Sequence, residues 1–170
     1  MTFFTCKFSI FAAIIKYLMK NPSDNISYRH TLPIQLRFGD FDRFGHVNNV
    51  VYFQFYDLGK SDYFATVCPH VDWSAIGIVA VHITADFLSQ IRGTDEVAVQ
   101  TAVTAIGTKS FTLAQRVIDL RTNEVKCVGT SVMVTYDLKA LESIPLRQEW
   151  IEAICAYEGK DVRKEKKYHP

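Results

Sequence analysis

Residues 37–52, RFGDFDRFGHVNNVVY, decide how the fold and the chemistry of this chain are interpreted. Within ten of these residues the chain places two aspartates, a histidine and two asparagines, and bulky apolar side chains flank them on both sides. Polar groups at this density among apolar neighbours must be hydrogen-bonded or must take part in chemistry. The stretch therefore marks either a tightly bonded loop or a reactive site.

A buried helix is predicted directly after the polar cluster. Seven of the nine residues in 50–58 are apolar, and a helix that is apolar on nearly every side is a buried one. Asn48 is a good N-cap, because its side chain can accept a hydrogen bond from a free amide of the first turn. Gly59 costs about 1 kcal/mol relative to alanine inside a helix, so its presence indicates a close approach to neighbouring backbone.

Strand patterns lie on both sides of the predicted helix. Residues 30–38 alternate, with Ile34, Leu36 and Phe38 on one face. After the helix, short connections separate further strand-like runs, which predicts antiparallel hairpins. In the first of these runs, the odd-numbered residues of 79–87 are expected on one face. The four runs are 77–88, 95–107, 110–120 and 125–138.

A second helix is predicted near the C-terminus. Pro145 suits the first position of a helix, and Leu146, Trp150 and Ile154 mark its packed face. The predicted order is one strand, a buried helix, four strands and a helix. The fold class is therefore expected to be α+β, with one long helix wrapped by a curved antiparallel sheet of about five strands.

Composition and charge argue against several classes of protein. The chain has 170 residues, of which 48% are apolar and 22% charged, as in ordinary soluble globular domains. The net charge of +1 provides no general attraction to nucleic acid or to an acidic membrane surface. Cys6, Cys68, Cys127 and Cys155 are scattered without a metal-binding spacing. They argue against a zinc site and fit a reducing, cytoplasmic compartment.

Three segments are expected along the chain: an N-terminal extension at 1–29, one folded domain at 30–158 and a basic, solvated tail at 159–170. The apolar run FSIFAAII at 8–15 is too short to cross a bilayer as a helix, and no small-residue cleavage pattern follows it. An extension before Met19, or a docked surface helix, is favoured over a secretory signal. Anchoring of the domain at a membrane by this segment stays open as a third possibility.

The end of the first strand and the start of the buried helix together suit the polarisation of a carbonyl group. First-turn amides of a helix have no internal partner and carry the positive end of the helix dipole, so they can stabilise an oxyanion. A carboxylate a few residues upstream, such as Asp42, could attack the same carbonyl carbon or orient water. These parts suit cleavage of an activated ester or thioester. The structural alternatives are that Asp42 caps the following turn, that His46 is a hydrogen-bonded loop histidine and that Asn48 is only an N-cap.

The run RFGDFDRFGHVNNVVYFQFYDLGKSDYF at 37–64 resembles the motif of the 4-hydroxybenzoyl-CoA thioesterase family of hot-dog fold acyl-CoA thioesterases. That motif combines an aromatic residue, an acidic pair, a GHVNN-like run, and a tyrosine and an acid along the helix. The resemblance covers about residues 30–155, with IGTKSF at 106–111 and IPLRQEW at 144–150. It implies a hydrolase that releases a free acid and coenzyme A without a metal or redox cofactor. It also implies homodimers or homotetramers, with sites at the dimer interface and part of the coenzyme A contact supplied by the second subunit.

The resemblance further implies roles for individual residues. Asp42 corresponds to the catalytic carboxylate, as nucleophile or general base, and the backbone N–H of Asn49 corresponds to the oxyanion donor. His46 is expected to support the orientation of water or of the thioester. Substrate contacts are expected from Asn48, Tyr52, Lys109 and Ser110. For Tyr52 a packing role, and for Lys109 an exposed turn position, remain the alternatives.

Other sites and other functions stay open. Some hot-dog thioesterases use a carboxylate farther along the helix, and Asp57 and Asp62 are the helix acids that could serve in that way. Hot-dog dehydratases space their Asp and His differently from Asp42 and His46, which argues against a hydratase. An acyl-carrier-protein thioesterase shares the HVNN run, and a non-catalytic acyl-CoA-binding protein would share the fold. The acyl group itself is not predicted.

Overall fold

The computed structural model describes residues 25–164. The predictions on the apolar run at 8–15, on the extension up to residue 24 and on the end of the basic tail lie outside these residues. The elements are β1 (His30–Pro33), a 3-10 turn (Phe38–Asp40), α1 (Asn49–Val67), β2 (Ile76–Phe87), β3 (Val97–Ile106), β4 (Ser110–Asp119), β5 (Val125–Asp137), β6 (Glu142–Ser143) and α2 (Gln148–Glu158).

Five strands form one antiparallel sheet in the order β1–β3–β4–β5–β2, and the short β6 pairs with β5. Although β2 follows α1 in the chain, it lies at an edge of the sheet beside β5. α1 packs mainly against β1, β3 and β4, and α2 contacts β3 and α1. This is the hot-dog fold of α+β class expected from the sequence, with a central helix wrapped by an antiparallel sheet.

α1 lies deep against the sheet, as its apolar sequence predicts. The side chain of Asn48 accepts a hydrogen bond from the Val50 amide at 3.2 Å, so this residue is the N-cap. A Cβ atom at Gly59 would come within 2.6 Å of Cγ1 of Val99 and 2.9 Å of Oγ1 of Thr101. Glycine is therefore needed here for the close approach of α1 to β3.

Buried side chains form two clusters along α1. Around its N-terminal half, Tyr52 packs with Ile91. Around its C-terminal half, Phe64 packs with Phe111 and Trp150. The first cluster supports the loop and the helix end that the sequence marks as a reactive site.

The strand predicted at 30–38 is shorter in the structure, because β1 ends at Pro33. The chain then leaves the sheet and forms the 3-10 turn, where the Arg37 amide donates to the carboxylate of Asp40 at 2.7 Å. A side chain that captures a backbone amide in this way competes with the hydrogen bonds of a strand.

The second helix begins at Gln148, so the prediction of a start at Pro145 is wrong. The residues before the helix are held against the sheet instead, since the Leu146 amide donates to the carbonyl of Thr108 at 3.0 Å. This tertiary hydrogen bond outweighs the local preference of proline for a first helical turn.

β2 contains a β-bulge at Val81, and the prediction of a single apolar face along this strand is wrong. Val79 pairs with Val134, whereas Ile83 pairs with Ser131, and positions three apart on β5 point to opposite faces of the sheet. Val79, Val81 and Ile83 are 45%, 59% and 44% exposed. Both faces of this edge strand therefore present apolar side chains to solvent.

Candidate active site

A tight loop holds the side chain of Asp42 in one orientation. Its Oδ1 atom accepts hydrogen bonds from the backbone amides of Phe44 at 2.8 Å and His46 at 3.2 Å. The Asp42 amide donates to the His46 carbonyl at 2.8 Å, and Gly45 permits the turn with a φ of +76°. Asp42 is thus a turn cap, yet no residue in 25–164 hydrogen-bonds to its Oδ2 atom. One carboxylate oxygen remains available for chemistry.

The N-terminus of α1 is fixed beside this loop. The Asn48 amide donates to the carbonyl of Asp40 at 2.9 Å, and the Val47 amide donates to the carbonyl of Ile91 at 3.0 Å. The amide of Asn49, at the first helical position, has no acceptor within the described part of the chain. A helix amide in this position can donate to a ligand and carries the positive end of the helix dipole.

One cleft of about 300 Å³ brings these groups together. Asp42, His46, Asn49 and Tyr52 line one side of it, and residues 87–90 line the other. Asp42 and His46 are half-buried, and Asn49 is exposed. The arrangement brings Asp42 and the first residue of α1 to the same small cleft.

Tyr52 is a packing residue as well as a lining residue of the cleft. Its ring meets the ring of Phe87 edge to face, with 5.1 Å between the centroids, and its side chain is buried. Burial raises the pKa of the Tyr52 phenol to about 12, although the amide of Ile91 acts in the opposite direction. The hydroxyl is therefore neutral near pH 7.

Lys109 and Ser110 do not line this cleft. Ser110 pairs with Val134, seven residues along β5 from the position that pairs with Phe87 at the cleft. That separation is about 23 Å at ~3.3 Å per strand residue. The Lys109 ammonium donates instead to the backbone carbonyl of Ser143 at 2.6 Å.

Three other candidate residues are engaged away from the cleft. Asp57 accepts from the ammonium of Lys60 at 2.6 Å, and Asp62 lies 2.8 Å from Nε2 of His30. The side chain of Asn48 caps α1 and is not among the groups that line the cleft. The two helix acids thus have partners that account for them structurally.

Residues 87–90, which form the second wall of the cleft, were not predicted from the sequence as part of the site. Ser89 and Gln90 add polar groups opposite Asp42. They follow Asp42 by more than forty residues and reach it only because β2 ends beside the loop. The available signal was the change from the apolar strand to polar residues at its end.

Within residues 25–164, no group of three His, Cys, Asp or Glu side chains is arranged to hold a metal ion. Neither α1 nor α2 is long and apolar enough to cross a membrane.

Solved structures of other proteins share this fold. A thioesterase from Thermus thermophilus, in complex with coenzyme A and Zn, has a TM-score of 0.69 at 29% identity, over 78% of this chain and 96% of that one. A 1,4-dihydroxy-2-naphthoyl-CoA thioesterase from Synechocystis has a TM-score of 0.66 at 19% identity, over 74% and 95%. A DHNA-CoA thioesterase from Staphylococcus aureus has a TM-score of 0.68 at 16% identity, over 79% and 97%. A comparison with curated proteins found no match.

The family model described as the thioesterase-like superfamily matches residues 36–154. The match begins just before the Asp42 loop and runs through α1, strands β2 to β6 and most of α2, and it leaves out β1. It thus includes both walls of the cleft as well as the fold that positions them. The chain belongs to the thioesterase-like superfamily.

Proposed function

We propose that this protein is an acyl-CoA thioesterase of the 4-hydroxybenzoyl-CoA thioesterase type, which hydrolyses an acyl-CoA to a free acid and coenzyme A. The observation that carries the proposal is the single cleft lined by Asp42 and by Asn49, the residue at the first position of α1. Membership of the thioesterase-like superfamily supports the same reaction class. The Thermus thermophilus thioesterase, which binds coenzyme A, supports coenzyme A as the carrier.

In this proposal the thioester oxygen accepts a hydrogen bond from the N–H of Asn49. The donor is already oriented by α1, so it costs no reorganisation when negative charge develops on the oxygen. One such donor contributes about 10²–10³ in rate. A thioester is an activated ester, so positioning and oxyanion stabilisation supply most of what the reaction needs. His46, beside Asp42 in the cleft, would help to orient water or the thioester.

Asp42 would act by one of two routes. As a nucleophile, its carboxylate oxygen bonds to the carbonyl carbon, the carbon–sulfur bond breaks, coenzyme A leaves as the thiolate and water hydrolyses the anhydride. As a general base, the carboxylate takes a proton from a water molecule that attacks the same carbon. Single turnover in heavy-oxygen water separates the routes, because only the first can place label in the Asp42 carboxylate.

The edge strand β2 supports a dimer as part of the proposal. Its outer edge is unpaired among residues 25–164, and its apolar side chains are exposed on both faces. Such an edge is a template for pairing with another chain. Antiparallel pairing with a second copy would place the partner's Ile76 end next to the Phe87 end of this chain. Lys109 and Ser110 would then contact coenzyme A in the cleft of the neighbouring protomer, and two such dimers would form the tetramer that the family resemblance implies.

An apolar recess of about 360 Å³ between α1 and β2 is the candidate pocket for the acyl group in this proposal. Phe64, Trp73 and Ile78 contribute its apolar lining. The recess lies about 18 Å along α1 from Tyr52, at ~1.5 Å per helical residue. In the antiparallel dimer, this recess of one protomer would lie close to the cleft of the other.

Release of free thiol from acyl-CoAs tests the proposal. Purified protein should release coenzyme A from at least one member of a panel of aliphatic and aromatic acyl-CoAs, followed with a thiol reagent. Asp42→Asn should abolish most of this release. Asp161→Asn is the matched control, since it makes the same chemical change on an exposed acid outside the cleft. Absence of release by the unchanged protein across the panel would reject an acyl-CoA hydrolase.

Two other functions have their own outcomes in the same experiments. An acyl-carrier-protein thioesterase, which shares the HVNN run, would turn over acyl carrier protein faster than the matching acyl-CoA. A non-catalytic acyl-CoA-binding protein would gain thermal stability with acyl-CoA and release no thiol. A cytoplasmic location is part of the proposal, and the free thiols of Cys68, Cys127 and Cys155 agree with a reducing compartment.

A further inference from the structure

A buried lysine lies behind the second wall of the cleft. Lys126, on β5, is only 5% exposed. Its ammonium donates to Oε2 of Glu124 at 2.7 Å and lies 3.3 Å from Oδ2 of Asp95. Burial alone would lower the pKa of Lys126, but the two carboxylates outweigh burial and raise it. Lys126 is therefore charged and holds two acids from different segments of the chain.

The same lysine holds the segment that lines the cleft. Its backbone carbonyl accepts hydrogen bonds from the amides of Leu88 at 2.8 Å and Ser89 at 3.0 Å. The ammonium of Lys126 lowers the pKa of Glu124, and the side chain of Ser89 acts in the same direction. The start of the wall is thus bonded to the backbone of Lys126 and lies near one of the two acids that its ammonium holds.

The other end of the segment is bonded to Asp95, the second acid that the Lys126 ammonium faces. Asp95 accepts from the Arg92 amide through Oδ2 at 3.0 Å, the same oxygen that faces the ammonium of Lys126. Between the two attachments lies Ile91, which is fully buried. Residues 88–92 are therefore hydrogen-bonded at one end to the backbone of Lys126 and at the other end to Asp95, which faces the Lys126 ammonium.

Ile91 connects residues 88–92 to the loop that carries Asp42 and His46. Its carbonyl accepts from the Val47 amide at 3.0 Å, and Val47 stands between His46 and the N-cap of α1. Displacement of Ile91 would therefore move the backbone that carries His46 on one side and the amide of Asn49 on the other. Losses of about 10² in rate accompany misplacements of ~1 Å at a reacting centre.

We propose that Lys126 is a positioning residue for the thioesterase reaction. With Asp95 and Glu124 it fixes residues 88–92, and through the hydrogen bond between Ile91 and Val47 it sets the position of the oxyanion donor relative to Asp42. Lys126 touches no reacting atom in this proposal. The inference rests on the proposed function, because positioning has a kinetic meaning only if the cleft hydrolyses a thioester.

The test compares Lys126→Met with Lys126→Arg in the full-length protein. Lys126→Met keeps the aliphatic stem and removes the charge, so it should lower kcat at least tenfold while KM changes less than threefold. Lys126→Arg keeps a cation within reach of both acids and should restore most of kcat. Hydrogen exchange should be faster in Lys126→Met at the amides of Leu88, Ser89 and Val47, because the restraint reaches all three.

Arg163→Met is the control for loss of an ion pair elsewhere. The Arg163–Asp161 pair is exposed and remote from the cleft, so its removal should leave kcat and the exchange of the Val47 amide unchanged. A purely structural role for Lys126 would lower the melting temperature of Lys126→Met and leave kcat and Val47 exchange at wild-type values in the folded protein. That result would overturn the proposal.

Glu124→Gln keeps the proposal testable if Lys126→Met does not fold. Glu124 is half exposed, so the variant should fold, lose the ionic contact with Lys126 and lower kcat with little change in KM. An unchanged kcat in Glu124→Gln would overturn the proposal. If the unchanged protein releases no coenzyme A, the proposed function fails by itself. Exchange of the Val47 amide in the variants then still decides whether the restraint reaches the loop.

Discussion

The hydroxyl of Tyr63 donates a hydrogen bond of 2.6 Å to the carboxylate of Glu158, and both side chains are buried. The same carboxylate oxygen accepts from the Val103 amide at 2.8 Å. One acid thus joins α1, α2 and β3 in the core. Burial and the bond to Glu158 raise the pKa of Tyr63 far above its ordinary value, so the phenol stays a donor at any physiological pH.

Loss of this hydrogen bond should destabilise the protein measurably. Tyr63→Phe removes one donor from a buried carboxylate, and an unsatisfied buried polar group costs about 1–3 kcal/mol. Urea unfolding should therefore show a lower free energy of unfolding by that amount, with an unchanged m-value. Tyr136→Phe, which removes a phenol bonded at the surface, should cost much less. Equal losses in the two variants would contradict the structural role given to Glu158.

Two substitutions at Asp42 should separate its proposed catalytic role from its turn-capping role. Asp42→Asn keeps an Oδ1 acceptor for the amides of Phe44 and His46 but removes the charge, so the loop should persist. Loss of a general base or nucleophile predicts a fall in kcat of about 10²–10⁴ with a nearly unchanged melting temperature. Asp42→Ala should lose the same activity and also about 1 kcal/mol of stability, because both turn bonds disappear. Steady-state kinetics and thermal melting of the two variants give the comparison, and wild-type turnover in Asp42→Asn would remove the assignment.

Much of the fold could be predicted because local and tertiary preferences agree along most of the chain. Asn48 before an apolar run specifies the start of α1, and Gly59 in that run specifies the close packing on β3. The bulge at Val81 could not be predicted, since it depends on how β2 pairs with β5 and leaves no mark in the alternation of residues. The predicted start of α2 at Pro145 is wrong because the Leu146 amide hydrogen-bonds to the carbonyl of Thr108. This bond outweighs the preference of proline for the first turn of a helix.

The candidate site, like the fold, could be predicted from the sequence only in part. Asp42, His46 and Asn49 lie within eight residues, so one motif was enough to predict that they share a loop and a helix end. Ser89 and Lys126 belong to distant segments of the chain. Only the order of the strands in the sheet brings Ser89 into the lining of the cleft and Lys126 behind it. Their side chains fit no local motif. A single sequence therefore predicts the side of the cleft that carries Asp42 and misses the side at residues 87–90.

A charge on the edge of β2 should dissociate the proposed dimer. Ile83 is 44% exposed on this strand, and burial of one isoleucine side chain stabilises by about 1.5–3 kcal/mol. Because less than half of Ile83 is left to bury, each dimer would lose about half of that contribution twice in Ile83→Lys, which predicts a dissociation constant raised by about 10–10². Sedimentation over a range of concentrations measures this change. Leu141→Lys, at an exposed turn beyond β5, is the matched control and should leave the assembly intact. A monomeric unchanged protein, or a dimer unaffected by Ile83→Lys, would contradict pairing through β2.

Acid should destabilise the protein through carboxylates whose pKa is lowered in the folded state. The side-chain hydrogen bonds of Arg163 hold the pKa of Asp161 at about 2, against an ordinary value of 3.8. Backbone and side-chain donors lower the pKa of Asp119 and Glu124 as well, the former through the Arg121 amide and the latter through Lys126.

For these groups the unfolded chain binds more protons than the folded one as the pH falls below about 5, so the free energy of unfolding must decrease with acidification. Their contribution is complete above the unfolded pKa values and is lost as the pH falls through the lowered folded values. Urea unfolding at pH 3, 4, 5 and 7 should show this loss below about pH 4.5. Asp161→Asn should weaken the dependence at its lowest end, because that group keeps its charge to the lowest pH. Stability that rises on acidification from pH 5 to pH 3 would show that these carboxylates are not held by the partners seen in the folded chain.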